Sequence, residues 1–237
     1  MNVYSIQEGL YPIPDIAVDG YEGLLAIGGI LDVDKLIHFY SNGIFPWYNS
    51  GEPVQWWSPK PRLILLPEKL HISSSMKNVL RKKLYTYSCD SDFLSVMLQC
   101  KTIDRKGQRG SWIHEEILEA FLKLHHMGLA HSVEIWEGDS MVGGLYGLAI
   151  GHMFCGESMF SKLPNTSKIA LIALCKILKQ KNFTFIDCQQ DTPHMRSMGA
   201  ELIHIEEFKF LLNQNKQNAV RMESWKSGKQ CLDVVDL

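Results

Sequence analysis

His131-Ser-Val-Glu-Ile-Trp136 and Met141-Val-Gly-Gly-Leu-Tyr-Gly-Leu-Ala-Ile150, joined through Glu137-Gly-Asp-Ser140, decide the fold. Both runs are rich in β-branched, aromatic and aliphatic residues, and the connection is built of turn formers, so a hairpin is predicted. A third strand is expected over His152–Phe160. Upstream, Ile117, Leu118, Phe121 and Leu124 share one face of a helix over His114–Met127, with Gly128 as its stop. Downstream, Thr166 or Ser167 opens a helix bearing Ile169, Ala170, Ala173, Leu174, Ile177 and Leu178. Phe183–Gln189 then reads as another strand. Helix, three strands, helix and strand is the order of an α+β, or mixed α/β, domain.

The chain before this region has a different texture. Pro12, Pro14, Gly20, Gly23, Gly28, Gly29, Gly43, Pro46, Gly51, Pro53, Pro59 and Pro61 punctuate it, which suits short strands and turns. One helix is expected there, capped by Asp32, bearing Val33, Leu36, Ile37 and Tyr40, and ended by Gly43. From Lys60 the chain turns basic: Lys60, Arg62, Lys69, Lys77, Arg81, Lys82 and Lys83 stand against Glu68 alone. A boundary near Arg62 gives a small N-terminal α+β domain over residues 1–62 and a larger domain over residues 63–237. The tail after Asn213 is polar and is expected to be loosely held.

The composition excludes several classes of function. Of 237 residues, 46% are hydrophobic and 21% charged, so a packed core is expected rather than disorder. The formal net charge of −2 rules out a basic field over the whole molecule, so any nucleic-acid contact must use a local patch. No secretory leader or membrane span is read, and a cytoplasmic protein is expected. The six cysteines form no C-x-x-C pair and are expected to be reduced and buried. His125 and His126 are adjacent, and His131 and His152 lack partners at ligand spacing, so no metal is expected. The glycines of Gly143-Gly-Leu-Tyr-Gly147 lack the terminal Lys-Ser/Thr of a P-loop and read as a bulge or a close backbone approach.

Two polar positions interrupt otherwise apolar strands. Strand alternation places Phe183, Phe185, Asp187 and Gln189 on one face, with a carboxylate and an amide at the strand's end. Such ends are common places for reactive groups, although an Asp capping a loop and a Gln bonding backbone fit as well. Glu157 lies among Phe154, Met159 and Phe160, and a buried carboxylate needs a cation, a wet cleft or a charged ligand. A local ion pair would satisfy it equally. Trp47, Trp56, Trp57 and Trp112 lie near glycine, proline or charge, where they could stack bases or pack at a domain interface.

In order along the chain, Gly23-Leu-Leu-Ala-Ile-Gly-Gly29, Gly43-Ile-Phe-Pro-Trp47, Trp56-Trp-Ser-Pro-Lys-Pro-Arg62, His131-Ser-Val-Glu134, Val142-Gly-Gly-Leu-Tyr-Gly147, Gly156-Glu-Ser-Met-Phe160, Asn165-Thr-Ser-Lys168, Ile186-Asp-Cys-Gln189 and Ser197-Met-Gly-Ala200 resemble the leucyl/phenylalanyl-tRNA-protein transferase family. The resemblance spans roughly residues 9–212. It implies that the C-terminal domain is like the acetyltransferase (GNAT) fold and works without a cofactor. It implies transfer of leucine, phenylalanine and, less well, methionine from aminoacyl-tRNA to proteins beginning with Arg or Lys. The product is marked for degradation by the N-end rule pathway, and a monomer is expected.

On that footing Asp187 would draw a proton from the acceptor amine through Gln189, whose NH₂ faces the Asp187 carboxylate. Leu145, Phe154, Met159, Leu174 and Ile186 would wall the donor side chain. Glu157 would meet the acceptor's cation or the adenosine ribose, and Trp47, Trp112 and Phe121 would support the terminal adenosine and the peptide. Arg81 and Lys82 would hold the tRNA acceptor stem. The chain departs from the family pattern at Ile30, Ser111, Phe121 and Met198. Two rivals remain at this level. An acetyl-CoA-dependent acyltransferase needs a pyrophosphate loop that Arg196-Ser-Met-Gly-Ala-Glu201 fails at its last position. A non-catalytic RNA-binding protein gives no reason for Asp187, Gln189 and Glu157.

Overall fold

The computed structural model describes residues 3–6, 22–103 and 111–232. Pro12, Pro14 and Gly20, part of the expected N-terminal punctuation, lie outside them. The N-terminal strands are β1 (Tyr4–Ile6), β2 (Leu24–Gly28), β3 (Phe45–Pro46) and β4 (Gln55–Trp57), with helix α1 (Val33–Tyr40) between β2 and β3. Then come β5 (Arg62–Leu65), α2 (Ser74–Arg81), β6 (Thr86–Cys89), α3 (Phe93–Thr102) and α4 (Glu115–His126). The hairpin follows as β7 (Ala130–Glu137) and β8 (Ser140–Ile150), then β9 (Met153–Ser161), α5 (Thr166–Gln180) and β10 (Phe185–Gln189). The chain closes with α6 (Pro193–Ser197), β11 (Glu201–Ile203), α7 (Ile205–Asn215) and β12 (Ser227–Cys231).

Among the described residues these strands make two sheets, and the fold is mixed α+β as expected. A four-stranded sheet runs β1-β2-β4-β3, and an eight-stranded sheet runs β11-β5-β10-β9-β8-β7-β6-β12. β5, which opens at Arg62, lies inside the larger sheet between β11 and β10. The hairpin turn is tighter than the spacer suggests. Glu137 pairs with Ser140, leaving Gly138 and Asp139 as the turn, with Gly138 at φ +58°.

The larger sheet is buried on both faces. On one face, residues such as Tyr146, Ile150 and Phe185 pack with α3, α4, α7, α1 and the small sheet. On the other, Leu63, Val133, Leu145, Phe154 and Ile186 pack with α2 and α5. α1 forms where its cap dictates, since Asp32 accepts from the Lys35 N–H at 2.8 Å while Leu36, Phe39 and Tyr40 turn inward. Gly43, at φ +73°, ends the turn after it, and a Cβ there would stand 2.6 Å from the Phe208 ring.

The tail corrects the expectation of a loosely held segment. α7 continues to Asn215, and β12 pairs antiparallel with β6 at the sheet edge. Between them Trp225 is buried, its ring stacked on His131 at 3.9 Å, and its backbone N–H donates to Asp90 at 3.1 Å. A large aromatic sealed over a buried His–Asp pair outweighs the polar composition around it. Trp225→Ala should therefore cost about 3 kcal/mol or more in urea unfolding. A loss within about 0.5 kcal/mol, the size of an ordinary surface change, would return the tail to the unpinned class.

Candidate active site

Two strands that run side by side open the site. β9 and β10 are parallel and paired at Met153–Phe185, Phe154–Ile186 and Cys155–Asp187. Beyond that point each carries an irregularity. In β9 the ladder with β8 goes from Gly147–Gly156 to Tyr146–Ser158, so Glu157 is an inserted residue. In β10 the ladder with β5 goes from Asp187–Ile64 to Gln189–Leu63, so Cys188 is inserted, and Gln189 takes φ +63°. Bulges of this kind re-aim side chains and end pairing. Here they bring Glu157 and Gln189 together, with the Gln189 Nε2 donating to Glu157 at 2.8 Å. Gly147 leaves room for the β9 bulge, since a Cβ there would fall 2.2 Å from the Cys155 carbonyl oxygen.

A cavity of about 570 Å³ lies at this junction. Of the expected residues, Gln189, Glu157, Trp47 and Trp112 line it. So do the expected apolar walls Leu145, Phe154, Met159, Leu174 and Ile186. Leu171 and Met195, which sequence reading did not name, add to the apolar end. Phe121 does not reach it. Its ring is fully buried on α4, edge-on to Tyr40 at 6.4 Å and to Tyr146 at 5.5 Å, so it supports the wall from behind. Arg81 and Lys82 are exposed at the end of α2 and do not line the cavity, and Arg81 donates to Asn78 at 2.8 Å.

Asp187 also lies behind the cavity. It is 1% exposed and held by Arg62, likewise 1% exposed. Arg62 Nε and Nη2 donate to the two carboxylate oxygens at 2.7 and 2.6 Å. Arg62 also donates to the Gly43 carbonyl at 3.1 Å, and its guanidinium faces the rings of Phe45 and Phe208 at 5.2 and 4.7 Å. The same Asp187 carboxylate accepts from the Gln189 backbone N–H at 3.0 Å. Two expectations therefore need correction. The bulge ends the alternation, so Asp187 and Gln189 do not share a face. The Gln189 NH₂ meets Glu157 rather than Asp187. Arg62 escaped sequence reading because it counted as one of the surface cations of the basic stretch. The signal available was a lone Arg opening the wholly apolar run Leu63-Ile-Leu-Leu66.

Glu157 faces the cavity with part of its surface, yet burial pushes its carboxyl up to about 8. The nearby Tyr40 hydroxyl and the hydrogen bond from Gln189 oppose that rise, and the nearby Asp187 charge adds to it. The Cys188 thiol also lines the cavity, and burial first, then Asp187, pushes it well above its usual range. It is therefore a protonated wall rather than a nucleophile. The arrangement offers an apolar hole, a flanking pair of tryptophans and, between them, a carboxyl that titrates near neutrality beside a fixed amide. That set can orient an amine against an acyl group and take up its proton.

A family profile described as leucyl/phenylalanyl-tRNA protein transferase matches residues 64–213. One described as the N-terminal domain of that transferase matches residues 29–60. The chain is 47% identical over 210 residues to a protein of Flavobacterium johnsoniae named leucyl/phenylalanyl-tRNA–protein transferase, covering 89% of this chain and 99% of that one. Proteins of the same name from Hydrogenovibrio crunogenus and Legionella pneumophila are 46% and 45% identical, covering 91% of this chain in each case and 84% and 96% of theirs.

The Glu157 environment has a consequence for stability. A carboxyl raised from 4.5 to about 8 in the folded chain binds its proton more tightly there than in the unfolded chain. Its contribution is full below the lower value and is lost as pH rises through the upper one. Glu157→Gln keeps the shape and stays neutral. Relative to that variant, the native protein should lose unfolding free energy between about pH 5 and about pH 9 in urea titrations. Parallel pH profiles for the two would contradict the shift.

Proposed function

The chain belongs to the leucyl/phenylalanyl-tRNA protein transferase family, and on that footing we propose that it moves an aminoacyl group from tRNA to the N-terminus of an acceptor protein. The observation that carries this is the apolar cavity beginning at the Glu157–Gln189 pair. The donors are leucine, phenylalanine and, less well, methionine, and the acceptors begin with Arg or Lys. The protein works as a cytoplasmic monomer, and its products enter the N-end rule pathway. The unit over residues 63–237 is a GNAT-like catalytic domain, and the smaller unit over residues 1–62 completes the site by supplying Trp47.

The reaction needs no covalent enzyme intermediate. The donor ester is already activated, and its side chain occupies the hole walled by Leu145, Phe154, Met159, Leu174 and Ile186. Trp47 and Trp112 flank the terminal adenosine, with Phe121 buttressing the wall indirectly. The incoming α-amine has an ordinary pKa of about 7.7–8.0, so it arrives largely as ammonium. Gln189 positions it through the carboxamide oxygen, and ionised Glu157 accepts one ammonium proton. The freed amine then attacks the ester carbonyl, the bond to the adenosine 3′ oxygen breaks, and the amine's second proton passes to that oxygen. An ammonium beside Glu157 favours its ionised form, the form that can take up the proton. Asp187 acts as the anchor. With Arg62 it fixes the backbone of Gln189 and never exchanges a proton with substrate. Arg81 and Lys82 hold acceptor-stem phosphates, a contact that weakens with added salt and ignores stem sequence.

A transfer assay with labelled aminoacyl-tRNA and an Arg-starting peptide tests this directly. The native chain should transfer leucine, and Gln189→Ala should lower kcat by about 100-fold or more. Leu174→Ala should narrow the preference for leucine over valine, which a well-fitted hole sets at roughly 10–200-fold. Binding of leucyl-tRNA without any transfer would instead support the RNA-binding reading.

A further inference from the structure

The family profile ends at residue 213, and the reaction proposed above uses nothing beyond it. The chain that follows is nonetheless seated closely. The Glu223 N–H donates to the Gly128 carbonyl at 3.1 Å, and a Cβ at Gly128 would stand 2.8 Å from the Glu223 nitrogen. Lys181, which follows α5, pairs with the Glu223 carboxylate at 2.8 Å. The Trp225 backbone is held by Asp90, whose carboxylate also meets the His131 Nδ1 at 2.8 Å.

These contacts deliver one large ring to the back of the reaction cavity. His131 stacks on Trp225 with the ring planes 3° apart. The Lys181 ammonium lies 5.3 Å from the Trp225 ring centroid, and Phe183 meets the ring edge-on at 5.5 Å. Phe154 is stacked against it as well, at 5.9 Å with the planes 28° apart. Phe154 lines the cavity, and Trp225 does not. The Phe154 ring also rests on the backbone of β8, since a Cβ at Gly147 would stand 2.5 Å from it. Backbone in the middle of a sheet cannot yield. How far the Phe154 ring stands into the cavity is therefore set by Trp225 behind it.

We infer that Trp225 is a positioning residue for the choice of donor. It holds the Phe154 wall forward, and so sets the width of the hole that takes the donor side chain. The His131-Ser-Val-Glu134 motif joins the same device through its histidine, which seats the tryptophan from β7. The inference rests on the transfer activity proposed above.

The test is the ratio of kcat/KM for phenylalanyl-tRNA to that for leucyl-tRNA. Both values come from one preparation, so a loss of folded protein alone leaves the ratio unmoved. In Trp225→Leu the wall can fall back into the vacated space, and the ratio should rise by about three-fold or more, approaching the scale of a misfit methylene. Trp225→Phe keeps a ring behind Phe154 and should restore the native ratio to within about two-fold. A smaller rise in Trp225→Leu makes the tryptophan a pin for the tail alone; it overturns the inference and leaves the transfer activity standing. Should that variant not fold, the native chain labelled with fluorotryptophan is read instead, with Trp225→Phe assigning the Trp225 fluorine resonance. An amide analogue of phenylalanyl-adenosine should shift that resonance more than the leucyl analogue does, and equal shifts or none overturn the inference. If the native chain transfers nothing, the transfer reading fails instead. Calorimetric Kd values for the two analogues, in the native chain and in Trp225→Leu, then decide the inference by the same ratio. A chain that binds neither analogue overturns both.

Discussion

The buried pairing of Arg62 with Asp187 is the constraint on which the site depends. Both groups are almost wholly withdrawn from water. Removing either partner alone would leave a buried charge uncompensated, a loss of about 3–5 kcal/mol. The pair is tolerable because nearly every polar atom is used: two bonds to the carboxylate, one to the Gly43 carbonyl, and two aromatic faces over the guanidinium. Those contacts reach the turn after α1, strand β3, helix α7 and the sheet at once. The small N-terminal sheet is thereby tied to the strand that carries Gln189.

From that anchor the geometry of the cavity follows. Asp187 accepts from the backbone of Gln189, which helps hold a left-handed conformation that a glutamine does not adopt freely. The residue is turned out of the strand's alternation and toward Glu157, itself lifted from its ladder by a bulge. Two insertions, one in each of two parallel strands, thus open the cavity and furnish its polar end. The carboxyl that results is neither an ordinary surface acid nor a sealed one. It touches the cavity, and burial keeps its proton affinity close to that of an α-amine.

Much of this was legible in the amino-acid order, for reasons that differ by residue. The hairpin and α1 with its Asp32 cap are set by local periodicity and by capping, and short-range rules find them, whereas the apolar walls Leu145, Phe154, Met159 and Ile186 come from the family resemblance. The bulges are not local in this sense. Nothing in Ile186-Asp-Cys-Gln189 says that Cys188 will be inserted, because the register is decided by Leu63 and Ile64 on a strand over a hundred residues earlier. Arg62 misleads for a related cause. A cation beside several others reads as surface charge until its carboxylate partner is brought up from β10. Trp225 hides in a polar tail because its partners, His131 and Asp90, are equally remote in the chain. Phe121 was expected at the ligand, yet its helix face sends it into the core, where it braces Tyr40 and Tyr146.

The role of the anchor is most directly measured by a double-mutant cycle on the rate of aminoacyl transfer, using Arg62→Met, Asp187→Asn and the two together. If the pair acts as one device that places Gln189, each single change slows kcat by about ten-fold or more, and the double variant is no slower than the worse single one. Effects that multiply in the double variant would mean that the two residues act separately, and the anchoring role would be lost.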